Sequence, residues 1–312
     1  MLAALLPAPI AGLVNGALII AAVIFWGGLI NVLGLLKLIL PFKPAQDVLR
    51  RLAVGFAENW AATIRVIARL MHAPQWEIDW RGELDRNQSY LLISNHQSWA
   101  DILILFDIFH GRVPLTRFFL KRELLWVPIV GAGCWAMDFP FMKRHSREAI
   151  AANPALRNED LETTRRACEI FKTAPVTVVN FAEGTRFTEA KRVAKESPYR
   201  HLLRPKSAGL SFTLNAMGEQ FAGIIDVTFA YRPTGDRPIL WSWLCGGQNH
   251  LAIHVDLLPI PQELVHGNYD SDPEFRARFQ EWINTLWARK DKRLEAMLYN
   301  KAAGRPAALN HS

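Results

Sequence analysis

The segment Asn95-His96-Gln97-Ser98-Trp99-Ala100-Asp101 sets an imidazole and a carboxylate five residues apart, directly after the apolar run Leu91-Leu92-Ile93. Histidine has the side-chain pKa nearest neutrality, so it is suited to take a proton from an attacking hydroxyl. A carboxylate on its other ring nitrogen fixes the tautomer and orientation that this work needs. A turn from strand into helix folds Asp101 back toward His96. If the electrophile is a thioester, it is already activated, and no acyl-enzyme serine is required. The same residues have a plainer explanation. Ser98 with Asp101 three residues on is a capping-box-like helix start, and His96 can be an ordinary hydrogen-bonded residue at a strand end. Metal ligation by His96, Asp101 and His110 fits no recurrent zinc spacing.

A second polar cluster, Glu183-Gly184-Thr185-Arg186, follows the run Val176-Thr177-Val178-Val179. Gly184 permits a tight turn and close approach of backbone to a ligand. Thr185 offers a hydroxyl, and Arg186 a planar fork that matches a phosphate monoester. Glu183 can orient Arg186 or a substrate hydroxyl. An exposed charged turn is the alternative for this string in isolation. Between the two clusters, Lys121 and Arg122 precede a tryptophan-bearing apolar stretch, and Lys143 and Arg144 close a third basic segment. Their placement beside apolar chain points to an anionic headgroup held at a membrane surface.

These residues need elements to hold them. Tyr90–Asn95, Val176–Phe181, the GIIDVTFAY segment and the LAIHVDLLPI segment each read as strands. WADILILFDIF and DLETTRRACEIFK read as helices between them. The chain closes with a long helical stretch in which Pro273 suits the first position and Asp272 or Ser271 the cap. Strands alternating with helices predict an α/β fold, a central mixed sheet flanked by helices.

The first 36 residues carry no ionisable side chain, and the stretch from Ile10 to Leu33 is long enough to cross a bilayer. Met1 to Ile10 has no lysine or arginine, unlike a secretory signal, so the segment is expected to stay as an anchor. Two geometries are open, a single tilted span and a hairpin broken near Gly27-Gly28. Lys37, Lys43, Arg50 and Arg51 follow, which by the positive-inside rule puts the remainder in the cytoplasm. Leu49, Leu52, Phe56, Trp60, Thr63, Ile64, Ile67 and Met71 then recur at helical spacing, with arginines opposite. Such a helix either lies in the headgroup plane or packs on a core. The expected organisation is an anchor over 1–45, a linker helix over 46–74 and a catalytic domain over 75–312.

The formal net charge of +7 favours anionic partners. Nucleic acid is not expected among them, because the basic residues are scattered and no finger, basic heptad or RNP-like run is present. Cys134, Cys168 and Cys245 are widely spaced and odd in number, which argues against a disulfide framework.

With these segments in view, the chain resembles the glycerophospholipid acyltransferase superfamily, which includes bacterial 1-acylglycerol-3-phosphate acyltransferases. NHQSWAD is similar to its NHxxxxD block and FAEGTRF to its EGTR block. FLKRELLWVPIVG resembles its Lys-x-x-Leu segment, and FPFMKR its middle block. EGTRFT and HLLRPKSAGL resemble the subgroup of bacterial inner-membrane and lysocardiolipin-type enzymes. The resemblance implies His96 as general base and Asp101 as its orienting partner. It also implies Arg186, Gly184, Thr185 and Arg144 on the acceptor phosphate, and Lys121 as a further phosphate ligand. The substrates would be a lysophospholipid, with 1-acylglycerol 3-phosphate first, and an acyl-coenzyme A or acyl-carrier-protein thioester. No bound cofactor is expected. Two positions depart from the family pattern: Lys143 precedes Arg144, and Asp226 replaces a usual proline.

Overall fold

A computed structural model describes residues 5–72, 76–139, 141–142, 168–169, 171, 174–232, 235, 237–247, 251–269 and 271–299. Six strands form the central sheet: β1 (Glu77–Arg81), β2 (Ser89–Ser94), β3 (Thr116–Phe118), β6 (Thr177–Phe181), β7 (Phe221–Ala230) and β8 (Ala252–Leu258). Their order is β1-β8-β7-β2-β6-β3. The four strands β7, β2, β6 and β3 run parallel, as do β1 and β8, while β7 and β8 are antiparallel. The sheet is therefore mixed, as expected. A parallel block delivers all its loops at one end, and ligands in such sheets bind outside the carboxyl ends of the strands.

Alternation along each strand sends residues to two cores. Leu91 and Ile93 of β2 face α6 (Ala208–Met217), which follows the short α5 (Glu189–Ala194), and α8 (Pro273–Tyr299), which follows the short α7 (Ile239–Leu244); Leu210, Leu214, Phe275, Phe279, Ile283 and Trp287 of α6 and α8 share that cluster. Tyr90 and Leu92 face the opposite way, toward α3 (Ala100–Phe109) with Ile104, Leu105 and Phe109. Helix α8 starts as the sequence predicts: Asp272 Oδ1 accepts the N–H groups of Glu274 and Phe275, each at 2.9 Å. The expected helix over 160–172 lies, except for 168–169 and 171, outside the described residues.

The departure at Asp226 has a structural counterpart on α8. Lys290, fully buried, donates to Asp226 Oδ1 at 2.5 Å and to the Val227 carbonyl at 2.6 Å. Arg293 reaches Asp226 Oδ2 at 2.9 Å. Burial alone would raise the Asp226 carboxyl, but the two cations hold it below the ordinary range. Deleting one member of such a pair strands the other charge and costs roughly 3–5 kcal/mol. This network fastens the last helix beneath the strand that neighbours β2.

The N-terminal segment is one unbroken helix, α1 (Ala8–Ile39), so the hairpin broken at Gly27-Gly28 is not formed. Gly27 serves contact instead: a Cβ there would lie 2.4 Å from Ile129 Cγ2. Helix α1 packs on α2 (Lys43–His72) and on the short α4 (Val130–Ala136). It is tied to the domain by Asn15 Nδ2 donating to the Leu244 carbonyl and Asn31 Nδ2 donating to the Ile129 carbonyl. Lys37, counted above among the basic residues that follow the anchor, is held in an ion pair with Asp138 at 2.6 Å. The outward face of α1 exposes Leu13, Ile20, Ile24, Phe25, Leu35 and Leu38.

Helix α2 buries a stripe of Leu49, Ala53, Ala57, Ala61, Ile64, Ala68 and Met71, while Leu52 points outward. Arg65 pairs with Asp107 of α3 at 3.1 Å, so one face of this helix packs on the domain. After β3 the chain makes a two-stranded parallel sheet of β4 (Leu120–Lys121) and β5 (Phe141–Met142), with a 3-10 turn and α4 between them. Burial pushes the Cys134 thiol up to about 12, which suits a packing residue and not a nucleophile. Cys134, Cys168 and Cys245 are all free thiols.

Candidate active site

Strand β2 ends at Ser94, and the chain must turn before α3 begins at Ala100. Asp101, fully buried, organises that turn. Its Oδ2 accepts the Gln97 N–H at 2.7 Å and the Ser98 N–H at 3.0 Å, while His96 Nδ1 lies 2.8 Å away. The bond from the Ser98 N–H is the returning half of a capping box. Ser98 Oγ accepts the Ala100 N–H at 3.2 Å. The two sequence readings of NHQSWAD thus coexist, because one carboxylate oxygen closes the turn and holds the imidazole. A carboxylate only accepts, so Nδ1 carries the proton and the Nε2 lone pair is left for chemistry.

Residues at the ends of three other strands hold the ring, one of them by direct contact. Phe181, last residue of β6, stacks on His96 with centroids 4.0 Å apart and planes 16° apart. Phe118, last residue of β3, stacks in turn on Phe181 at 5.9 Å. Tyr231, immediately after β7, donates its hydroxyl to Asp101 Oδ1 at 2.5 Å. Burial, reinforced by the Asp101 charge, holds this phenol well above its ordinary pKa, so it remains a donor. The carboxyl ends of four parallel strands therefore converge on one imidazole.

The Glu183-Gly184-Thr185-Arg186 turn is fastened to the same point. Glu183 is 1% exposed; its Oε1 accepts the His96 N–H at 3.2 Å and its Oε2 the Leu203 N–H at 2.9 Å. The Phe187 N–H donates to the His96 carbonyl at 2.7 Å. Glu183 was expected among the substrate contacts. The structure turns it inward, where it braces the two halves of the site. Burial pushes its carboxyl up to about 7, against the Leu203 and His96 N–H groups and the nearby Lys290. Gly184 adopts φ +67°, the left-handed region that a side chain disfavours. A Cβ there would also lie 3.2 Å from Cδ of Lys206, which lies across the turn.

Thr185 and Arg186 are placed by a lysine that sequence reasoning did not single out. Lys191 Nζ donates to Thr185 Oγ1 and to the Arg186 carbonyl, both at 2.9 Å. The Arg186 guanidinium lies 5.4 Å from the ring centroid of Trp99, on the turn that carries His96. Arg186 itself is exposed. Lys121 is exposed in β4, three residues past the end of β3 and so at the same end of the sheet. Arg144 and Lys143 lie outside the described residues.

The expected residues His96, Asp101, Glu183, Gly184, Thr185 and Arg186 are thus one connected group. Phe181, Tyr231, Trp99 and Lys191 join them. Of these, Phe181 and Trp99 lie inside the two polar motif segments, Tyr231 ends a segment read only as a strand, and Lys191 lies in none.

A family model described as Acyltransferase matches residues 77–232, half of the chain. An uncharacterized acyltransferase of Schizosaccharomyces pombe is 24% identical over 247 residues, covering 69% of this chain and 64% of its own length. The 1-acyl-sn-glycerol-3-phosphate acyltransferase gamma of Mus musculus is 25% identical over 211 residues, covering 64% of this chain and 51% of its own. The chain thus spans between half and two thirds of these relatives. Among solved structures, the 1-acyl-sn-glycerophosphate (LPA) acyltransferase PlsC from Thermotoga maritima shares the fold, with TM-score 0.50 and 15% identity. That match covers 92% of this chain and 95% of the other.

The raised Glu183 carboxyl has a thermodynamic signature. Between its ordinary value near 4.5 and about 7, the unfolded chain ionises this group while the folded chain does not. Stability is therefore full below that window and falls as pH rises through it, by roughly 3 kcal/mol at most. Denaturant unfolding of the wild type should show this fall, and Glu183→Gln, although less stable at acid pH, should lose it. Parallel pH profiles for the two proteins would refute the burial argument.

Proposed function

Because the chain belongs to the Acyltransferase family, we propose that it transfers a fatty acyl group from a thioester to the free hydroxyl of a lysophospholipid, foremost 1-acylglycerol 3-phosphate, giving phosphatidate. The observation that carries this reading is the His96–Asp101 contact of 2.8 Å beside a turn that presents Arg186. His96 Nε2 takes the acceptor hydroxyl proton as that oxygen attacks the thioester carbonyl. The tetrahedral intermediate collapses, the carbon–sulfur bond breaks, and the departing thiolate recovers the proton from the imidazolium. Asp101 stabilises the imidazolium in between.

Acceptor choice falls to the phosphate grip. Arg186 supplies a planar fork for a phosphate monoester, with Thr185 and the Gly184 backbone beside it. Lys121 and Arg144 complete the proposed set. The name of the mouse relative supports a lysophosphatidate acceptor. The donor is acyl-coenzyme A or acyl carrier protein, and both offer the same acyl thioester carbon to attack.

The lipid substrates place this chemistry at a membrane surface. The outward face of α1 is apolar over most of its 32 residues, long enough to embed in a bilayer. Lys43, Arg50 and Arg51 follow it and favour the cytoplasmic side of a bacterial inner membrane.

Two experiments test this reading. Purified protein with an acyl thioester and a panel of lysophospholipids should form a product of the expected mass. His96→Ala should lower turnover by about 100-fold or more while the protein stays folded, and Arg186→Lys should raise the acceptor KM with less effect on kcat. Near-native turnover of the alanine variant would sink the mechanism. For the membrane, the double variant Ile20→Lys/Ile24→Lys adds charge only to the exposed face. It should lose flotation with phospholipid vesicles but keep its unfolding midpoint; unchanged flotation would rule out this face as the anchor.

A further inference from the structure

The two oxygens of Asp101 are loaded unequally. Oδ2 takes His96 Nδ1 and two backbone N–H groups, all from its own turn. Oδ1 is met by Tyr231, which arrives from the end of β7, 130 residues further along the chain. Tyr231 is 6% exposed and its ring belongs to the core between the sheet and α3. A buried phenol donating to a buried carboxylate oxygen leaves that carboxylate one accessible orientation, with Oδ2 toward the imidazole.

We propose that Tyr231 is a positioning residue of the proton-abstracting pair: it holds the Asp101 carboxylate against His96 Nδ1 and draws negative charge away from Oδ2. The proposal rests on the reading of His96 as the general base. Its chemistry has two consequences. Without the phenol, Oδ1 is a buried acceptor lacking its donor, and the carboxylate is free to rotate away from the imidazole. Where it stays in place, more of its charge reaches Oδ2 and the imidazolium on His96 gains stabilisation. The first effect lowers kcat, and the second raises the pH at which the base becomes active.

The groups facing Asp101 are few. His96 approaches from the β2–α3 turn, Tyr231 from the end of β7, and Glu183 from the end of β6 through its charge alone. Burial raises the Glu183 carboxyl to about 7, so its contribution to a pH profile has to be separated.

The test is the pH dependence of kcat/KM for the full chain in phospholipid vesicles, with an acyl thioester and lysophosphatidate. Tyr231→Phe should lower kcat about tenfold and leave the acceptor KM within about twofold, since Arg186 is untouched. Its acidic limb should move up by about 0.3–0.5 pH units, in the wild-type and in the Glu183→Gln background alike. A 3-fluorotyrosine incorporated at position 231 is a stronger donor of the same shape and should move the limb down. It also decides the matter if Tyr231→Phe fails to fold. A limb that ignores both changes, whatever happens to kcat, overturns the proposal and leaves Tyr231 as packing. Wild-type protein that transfers acyl groups to no acceptor would overturn the underlying reading first.

Discussion

A carboxylate with no access to water has to find all its hydrogen bonds in the protein, and at Asp101 that requirement shapes everything around it. Four donors reach its two oxygens: an imidazole, two backbone amides and a phenol. The amides require the chain to turn sharply between β2 and α3. The phenol requires β7 to lie beside β2 in parallel and to run past it, since Ser94, the last residue of β2, is level with Val227, four residues before Tyr231. Strand order and helix start thus serve one buried anion, and the imidazole inherits its orientation from them.

The second half of the site depends on the same principle of buried acceptors. Glu183 occupies both oxygens with backbone N–H groups from separate segments, and the His96 carbonyl accepts from Phe187. The turn that presents Arg186 is therefore attached to the backbone of His96. Beneath the sheet, Lys290 and Arg293 meet Asp226 and lock α8 under the strand beside β2. The sheet that carries His96 is thereby braced on that face.

Much of this is readable from the chain, for identifiable reasons. β2, β6, β7 and β8 are apolar runs bounded by turn residues, and α8 announces itself through Asp272-Pro273 and a sustained periodicity. The edge strands are not legible. β3 has three residues, one of them Arg117, and β1 is five residues long with three charges, Glu77, Asp79 and Arg81, along one face. Strands that short or polar exist because a neighbour supplies their hydrogen bonds, which is information outside the segment. At the site, His96, Asp101 and Arg186 stand out because their types and spacing match a chemistry. Tyr231 and Lys191 do not, since an isolated tyrosine or lysine acquires meaning only through what folds against it. Glu183 shows the opposite error: a charged residue beside glycine looks solvent-facing, and only the fold reveals two backbone amides waiting for it.

The tautomer of His96 is where the account is most directly exposed. With 15N-histidine incorporated, the ring nitrogens can be assigned by long-range 1H–15N correlation at alkaline pH, where the imidazole is neutral. The proton is expected on Nδ1, facing Asp101, with an unprotonated Nε2, and that pattern is expected to weaken in Asp101→Asn. A proton resident on Nε2 in the wild type would mean that His96 cannot accept one from a lysophospholipid hydroxyl, and the proposed mechanism would fail.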